Sequence, residues 1–207
     1  MGCAVIGWAE VYAYWKQYNG ASRLFDGIDL FYGRNWHYEG SQENYIDNRG
    51  EVYRVMSTIR CDMQTKNGAT YVGFIPDGKK YGQNKGYTVD VKWLTSWYYN
   101  DIRDYIKNNK PVLLHVASAP GTTGVYNHIV VIEAVKRRYW TNTGDVLEVG
   151  YEINPGHGDN APKKWMYLFI DTANKPNENY DPNRPIEDNG RPKEWHYMWD
   201  AYLIDIR

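Results

Sequence analysis

The chain is expected to fold as an α+β domain, and three patterns in its 207 residues point there. An apolar run at the front, Ala4 to Tyr18, carries large apolar residues around nearly its whole circumference. A second run, 91–108, repeats Trp93, Leu94, Trp97, Tyr98, Ile102, Tyr105 and Ile106 at three- and four-residue steps. From Pro111 onward the period changes to short apolar segments separated by turn formers. Helices that precede strands, rather than alternate with them, argue a helical lobe (about 1–110) and an antiparallel sheet lobe (about 111–207) in one domain. The length suits a single core.

The first helix is expected over Cys3–Tyr18, with Gly20 as its stop. Residues 19–50 are rich in Gly, Asn and Asp and read as loop with short elements. Val52–Cys61 fits a helix or a strand equally well. Residues 66–86 are broken by six Gly or Pro residues. The run 91–108 is the clearest amphipathic helix, ended by Asn108, Asn109, Lys110 and Pro111. Strands are expected over 112–117, 126–137, 147–153, 165–171 and 201–206, with a turn at Thr141–Gly144. The Pro-, Asn- and Asp-rich stretch 174–191 reads as a long surface loop.

Composition excludes several classes. Lys plus Arg is 24 and Asp plus Glu is 25, so there is no basic surplus for nucleic acid or an anionic membrane surface. No stretch approaches the roughly 20 apolar residues of a membrane span. The 20 Tyr and 9 Trp against 4 Phe suit a packed sheet with half-buried aromatics, or a groove for sugar or peptide. Two cysteines make no disulfide framework, although a single Cys3–Cys61 bridge stays open and would remove any catalytic thiol. No basic head and apolar stretch precedes Cys3. The chain is then expected to be either cytoplasmic or a domain cut from a longer secreted precursor.

Cys3 is the first candidate for chemistry. A thiol at a helix N-terminus feels the positive end of the helix dipole, which favours the thiolate. Such a nucleophile needs an imidazole to take its proton and a group to orient that imidazole. Of the five histidines, His37 and His196 read as surface or structural, and His115, inside an apolar run, as a satisfied sheet histidine. His128 opens the strongly apolar strand His128–Ile132, which places it at a sheet edge. His157 lies between Gly156 and Gly158. Asn154, just before that turn, is placed either to accept a bond from a histidine N–H or simply to open a β-turn with Pro155 and Gly156.

Three blocks in this order are similar to the papain-like cysteine peptidases, in particular the streptopain-like branch. Gly2-Cys3-Ala4-Val5 through Ala13-Tyr14-Trp15 resembles the nucleophile block at the head of the family's central helix. His128-Ile129-Val130-Val131-Ile132-Glu133-Ala134 resembles the base-bearing strand. Tyr151 to Gly158, followed by Tyr167 to Pro176, resembles the family's Asn-Trp-Gly-Trp-Gly loop and the strand after it. The resemblance spans about residues 3–176. It implies a two-lobed papain-like fold with a buried central helix. It implies a peptide or protein substrate and no metal or cofactor. It implies Cys3 as nucleophile, His128 as general base and acid, and Asn154 as the orienting amide. Gly2, Asn127, Gly156 and His157 would belong to the surrounding substrate and loop positions. The backbone N–H of Cys3 would serve the oxyanion hole.

The chain departs from that pattern twice. The family's oxyanion glutamine stands several residues before the cysteine, where this sequence has Met1 and Gly2. Pro155 and His157 stand where the loop tryptophans belong. Two further readings follow: a non-catalytic module of the same fold that holds a peptide or glycan, and an aromatic-rich, lectin-like domain with Cys3 and Cys61 bridged.

Overall fold

The computed structural model describes residues 2–26, 42–95, 99–117, 127–139, 141–143, 146–154, 156, 166–172 and 197–207. It contains helices and an antiparallel sheet, the α+β architecture the sequence predicts. The chain divides into two compact units, residues 1–90 with 205–207, and residues 91–204.

In the first unit, α1 (Cys3–Tyr18) follows the expected bounds. Its buried face includes Val5, Trp8, Val11, Tyr12 and Trp15, at helical three- and four-residue spacing. Burying Trp8 and Tyr12 also buries two polar groups, and each finds a backbone partner. Trp8 Nε1–H donates to the Ile75 carbonyl at 2.7 Å. The Tyr12 hydroxyl donates to the Gly78 carbonyl at 2.7 Å and accepts the Gly82 N–H at 3.1 Å. Ile75 and Gly78 lie in the 3-10 turn Val72–Gly78, and Gly82 lies in α3 (Lys79–Asn84). Gly78 is required here, because a Cβ would sit 2.4 Å from the Trp8 indole. The uncertain stretch 52–61 is helical, part of α2 (Gln42–Asp62), which buries Val55 and Ile59.

The glycine-rich stretch after α2 holds a turn that sequence reading passed over. Lys66 and Ala69 exchange N–H···O bonds of 3.0 and 2.9 Å around Asn67 and Gly68, whose φ angles are 50° and 81°. Two consecutive positive φ angles fit the type I′ hairpin turn that Asn-Gly favours.

In the second unit, the strands are β1 (Val89–Leu94), β2 (Val112–Ala117), β3 (His128–Tyr139), β4 (Val146–Asn154), β5 (Met166–Thr172) and β6 (Tyr197–Ile206). Their order is β1-β6-β2-β3-β4-β5. β2 pairs antiparallel with β3 and β6, and β4 with β3 and β5. The chain passes between the units within β1 and again within β6. One face of the sheet carries Val112, Leu114, Val116, Val130 and Ile132, which pack with Ile102 of α4 (Tyr99–Lys107).

Two expectations are corrected here. The single helix over 91–108 is instead strand β1 followed by α4. Val89, Val91 and Trp93 alternate along a pleat, and pairing beside β6 outweighs the helical spacing of the same residues. The compact helical unit also ends at Asp90 rather than near 110, because α4 packs on the sheet. The loop expected over 174–191 lies outside the described residues.

Candidate active site

Gly2 is the N-cap of α1, with extended backbone (φ −91°, ψ 155°). Its carbonyl accepts the N–H of Val5 at 3.0 Å and of Ile6 at 3.2 Å. Cys3 is thus the first helical residue, and its own N–H is among those a helix start leaves without an intrahelical acceptor. The Cys3 thiol is free and half-buried. Cys61, in the last turn of α2, is free and exposed, so no Cys3–Cys61 bridge forms.

The residue before the thiol is fixed by a backbone contact. A Cβ at Gly2 would lie 2.4 Å from the Gly68 carbonyl oxygen and 3.2 Å from the Thr65 methyl. The Asn67-Gly68 hairpin therefore rests on the start of α1. Thr65 and Thr70 close its base with a 2.6 Å hydroxyl–hydroxyl bond.

His128 is the first residue of β3 and is half-buried, and Asn127 before it is exposed. His128 pairs with Val116, so its side chain takes the face that α4 covers. Asn154 ends β4 and pairs with Val131. Side chains alternate along a strand, and His128 is three residues from Val131, so Asn154 and His128 project from opposite faces. The amide is also committed elsewhere. Asn154 Nδ2–H donates to Glu133 Oε1 at 3.1 Å, and Oδ1 accepts the Gly156 N–H at 3.0 Å. Asn154 therefore opens a side-chain-capped turn into Gly156, whose φ is 69°. The expectation that Asn154 orients His128 is corrected on this geometry. Pro155, His157, His37 and His196 lie outside the described residues.

A different histidine has a carboxylate beside it. His115, on the other face of β2, has Nδ1 3.2 Å from Asp200 Oδ2, with side-chain exposures of only 8% and 14%. Pairing skips between Leu114 and Val116, so Trp199 and Asp200 together oppose His115 in a β-bulge. Asp200 Oδ1 accepts Trp93 Nε1–H at 2.9 Å, and the Trp93 ring stacks on Tyr202 at 5.9 Å. Burial, reinforced by the Asp200 charge, holds the Tyr202 hydroxyl well above the usual tyrosine range. His115 is thus the satisfied sheet histidine its apolar run predicts. Sequence reading missed Asp200; the available signal was a carboxylate inside the otherwise uncharged, largely apolar run 198–204.

Among the described residues, no three His, Cys, Asp or Glu side chains converge as a metal site. No described helix is long and apolar enough to cross a membrane. No protein-family pattern and no curated protein sequence matches the chain.

Proposed function

We propose that the protein is a cysteine hydrolase of papain-like type, most simply a peptidase acting on peptide or protein substrates. The observation that carries this reading is the placement of Cys3. It is a free, half-buried thiol at the first position of a helix whose body is buried. In the reaction, the Cys3 thiolate attacks the substrate carbonyl and His128 holds the thiol proton. His128 then delivers that proton to the leaving amine. Water, deprotonated by His128, cleaves the resulting Cys3 thioester and restores the thiol. The N–H of Cys3, at the positive end of α1, is available to the developing oxyanion.

The test is labelling and turnover on the same preparations. Cys3 is expected to react with iodoacetamide faster than Cys61 at pH 6, and His128→Ala to remove that advantage. Cys3→Ala is expected to abolish ester and peptide hydrolysis while the protein stays folded. Hydrolysis that survives Cys3→Ala would sink the assignment.

A second reading, a non-catalytic peptide- or glycan-binding module of the same fold, is favoured by the commitment of the Asn154 amide to Glu133 and Gly156. It predicts that Cys3 and Cys61 alkylate at similar slow rates.

A further inference from the structure

Asn67 and Gly68 form the tip of the hairpin that follows α2, and both are exposed. An asparagine before a glycine is the pairing in which a side-chain amide most readily reacts with its own backbone. The asparagine Cγ can close a five-membered ring on the next nitrogen, and glycine has no side chain to shield that nitrogen. Lys66 and Ala69 make the two bonds that close the turn, and the Gly68 N–H takes part in neither. Asn67 also holds a φ of 50°, a left-handed conformation that costs energy in any residue with a Cβ. An exposed tip held by two backbone bonds opens locally at little cost.

The base of the hairpin is held more firmly than its tip. Thr65 N–H donates to the Arg60 carbonyl at 3.0 Å, and Arg60 Nε–H donates to the Thr65 carbonyl at 3.4 Å. The Thr65 and Thr70 hydroxyls bond at 2.6 Å. A change in main-chain length between Asn67 and Gly68 is therefore taken up at the tip. The Gly68 carbonyl moves with it, and that oxygen lies against Gly2, where a Cβ would come within 2.4 Å. Gly2 is the N-cap of α1, immediately before Cys3.

We propose that Asn67 is a self-modifying site: it cyclises onto Gly68, opens to isoaspartate, and so withdraws the hairpin from the start of α1. The Gly68 nitrogen, having lost its proton to hydroxide, bonds to Asn67 Cγ, and the side-chain nitrogen leaves as ammonia. Water then opens the succinimide at the main-chain carbonyl, and the chain runs on through Cβ and Cγ. One water is consumed, one ammonia is released, and nothing is oxidised or reduced. The main chain is then one methylene longer, and a two-residue turn no longer fits it. The proposal holds whether or not Cys3 is a nucleophile, because its thiol serves only as a reporter.

The test ages the folded protein at pH 8.5 and 37 °C under reductant, then maps it with trypsin. Cleavage releases residues 67–79 apart from the chain's other Asn-Gly pairs, 19–20 and 189–190. The 67–79 peptide is expected to accumulate isoaspartate, read as methyl groups transferred from S-adenosylmethionine by an isoaspartyl methyltransferase. With the reductant removed, iodoacetamide should label Cys3 about 3-fold faster or more in the aged protein than in the fresh one. Asn67→Gln, whose longer side chain closes a ring far more slowly, should show neither change. Repair of the aged protein with the methyltransferase, which restores an ordinary main chain with an aspartate at position 67, should return Cys3 to its original rate. A 67–79 peptide that converts in urea but not in the folded protein would overturn the site. Conversion that leaves the Cys3 rate unmoved, or a Cys3 that quickens equally in aged Asn67→Gln, would overturn the link to α1.

Discussion

Asn154 donates its amide to Glu133 at 3.1 Å on the face of the sheet opposite His128. The pair joins the end of β4 to β3, and the Asn154 carbonyl holds the Gly156 N–H. Its work is therefore to shape the turn after β4. Asn154→Ala should cost about 1 kcal/mol of stability, the scale of a partly buried hydrogen bond. It should leave the pH profile of Cys3 alkylation unmoved. Urea unfolding and an alkylation series from pH 5 to 9 check both. A profile displaced by Asn154→Ala would return Asn154 to the role of imidazole orienter.

Gly2 has no room for a side chain. The atom in its way is the Gly68 carbonyl oxygen, at 2.4 Å from a Cβ, and backbone yields less readily than a flexible side chain. Gly68 is itself in the left-handed region at φ 81°, so the hairpin has little freedom to back away. Gly2→Ala should cost about 1–3 kcal/mol, the usual price of overpacking. Because Gly2 is the N-cap, the same change should alter the alkylation rate of Cys3. Thermal melts and Cys3 labelling run side by side would show a null effect if the contact is unimportant.

The sequence made α1 legible to its bounds because one element's apolar spacing is a local property. Strands β2 to β6, but not β1, were legible for the same reason, from the change of period after Pro111. What it concealed were relations between strands. Whether Asn154 shares a face with His128 depends on the pairing of Val131 with Asn154, and neither strand alone carries that. The His115–Asp200 pair depends on one extra residue in β6 opposite β2. In residues 89–94 two local signals competed, helical spacing and β-branched alternation, and the neighbouring strand decided between them. The Asn67-Gly68 turn was readable and was lost among the surrounding glycines.

The His115–Asp200–Trp93 chain ties β2, β6 and β1 together through one carboxylate. Removing that carboxylate leaves the His115 ring and the Trp93 indole N–H each short of a partner. Asp200→Ala should therefore destabilise by about 2–4 kcal/mol, more than a lone surface ion pair would. His115→Ala and Asp200→Ala should be non-additive, with a coupling of about 1 kcal/mol or more in a double-mutant cycle. Additive losses would mean that the two side chains stabilise the sheet independently of their contact.

Asp62, at the end of α2, shows the opposite case, a carboxylate whose charge the fold disfavours. Its Oδ2 is buried without a hydrogen-bond partner among the described residues. Burial, with a further push from Asp77 and a partial offset from Lys80, raises its pKa above the usual aspartate value. A raised acid pKa means that the folded state holds the proton more tightly than the unfolded chain does. The stabilising contribution is then complete below the unfolded value and is lost as pH rises through the folded value. At neutral pH, Asp62 is thus a net cost. Asp62→Asn should raise stability modestly at pH 7, because solvent reaches much of this group and screens the penalty, and the advantage should vanish as pH falls below the ordinary aspartate range. Denaturant unfolding of both proteins from pH 3 to 7 tests this, and an Asn variant less stable than the parent at pH 7 would show that the carboxylate has a favourable partner.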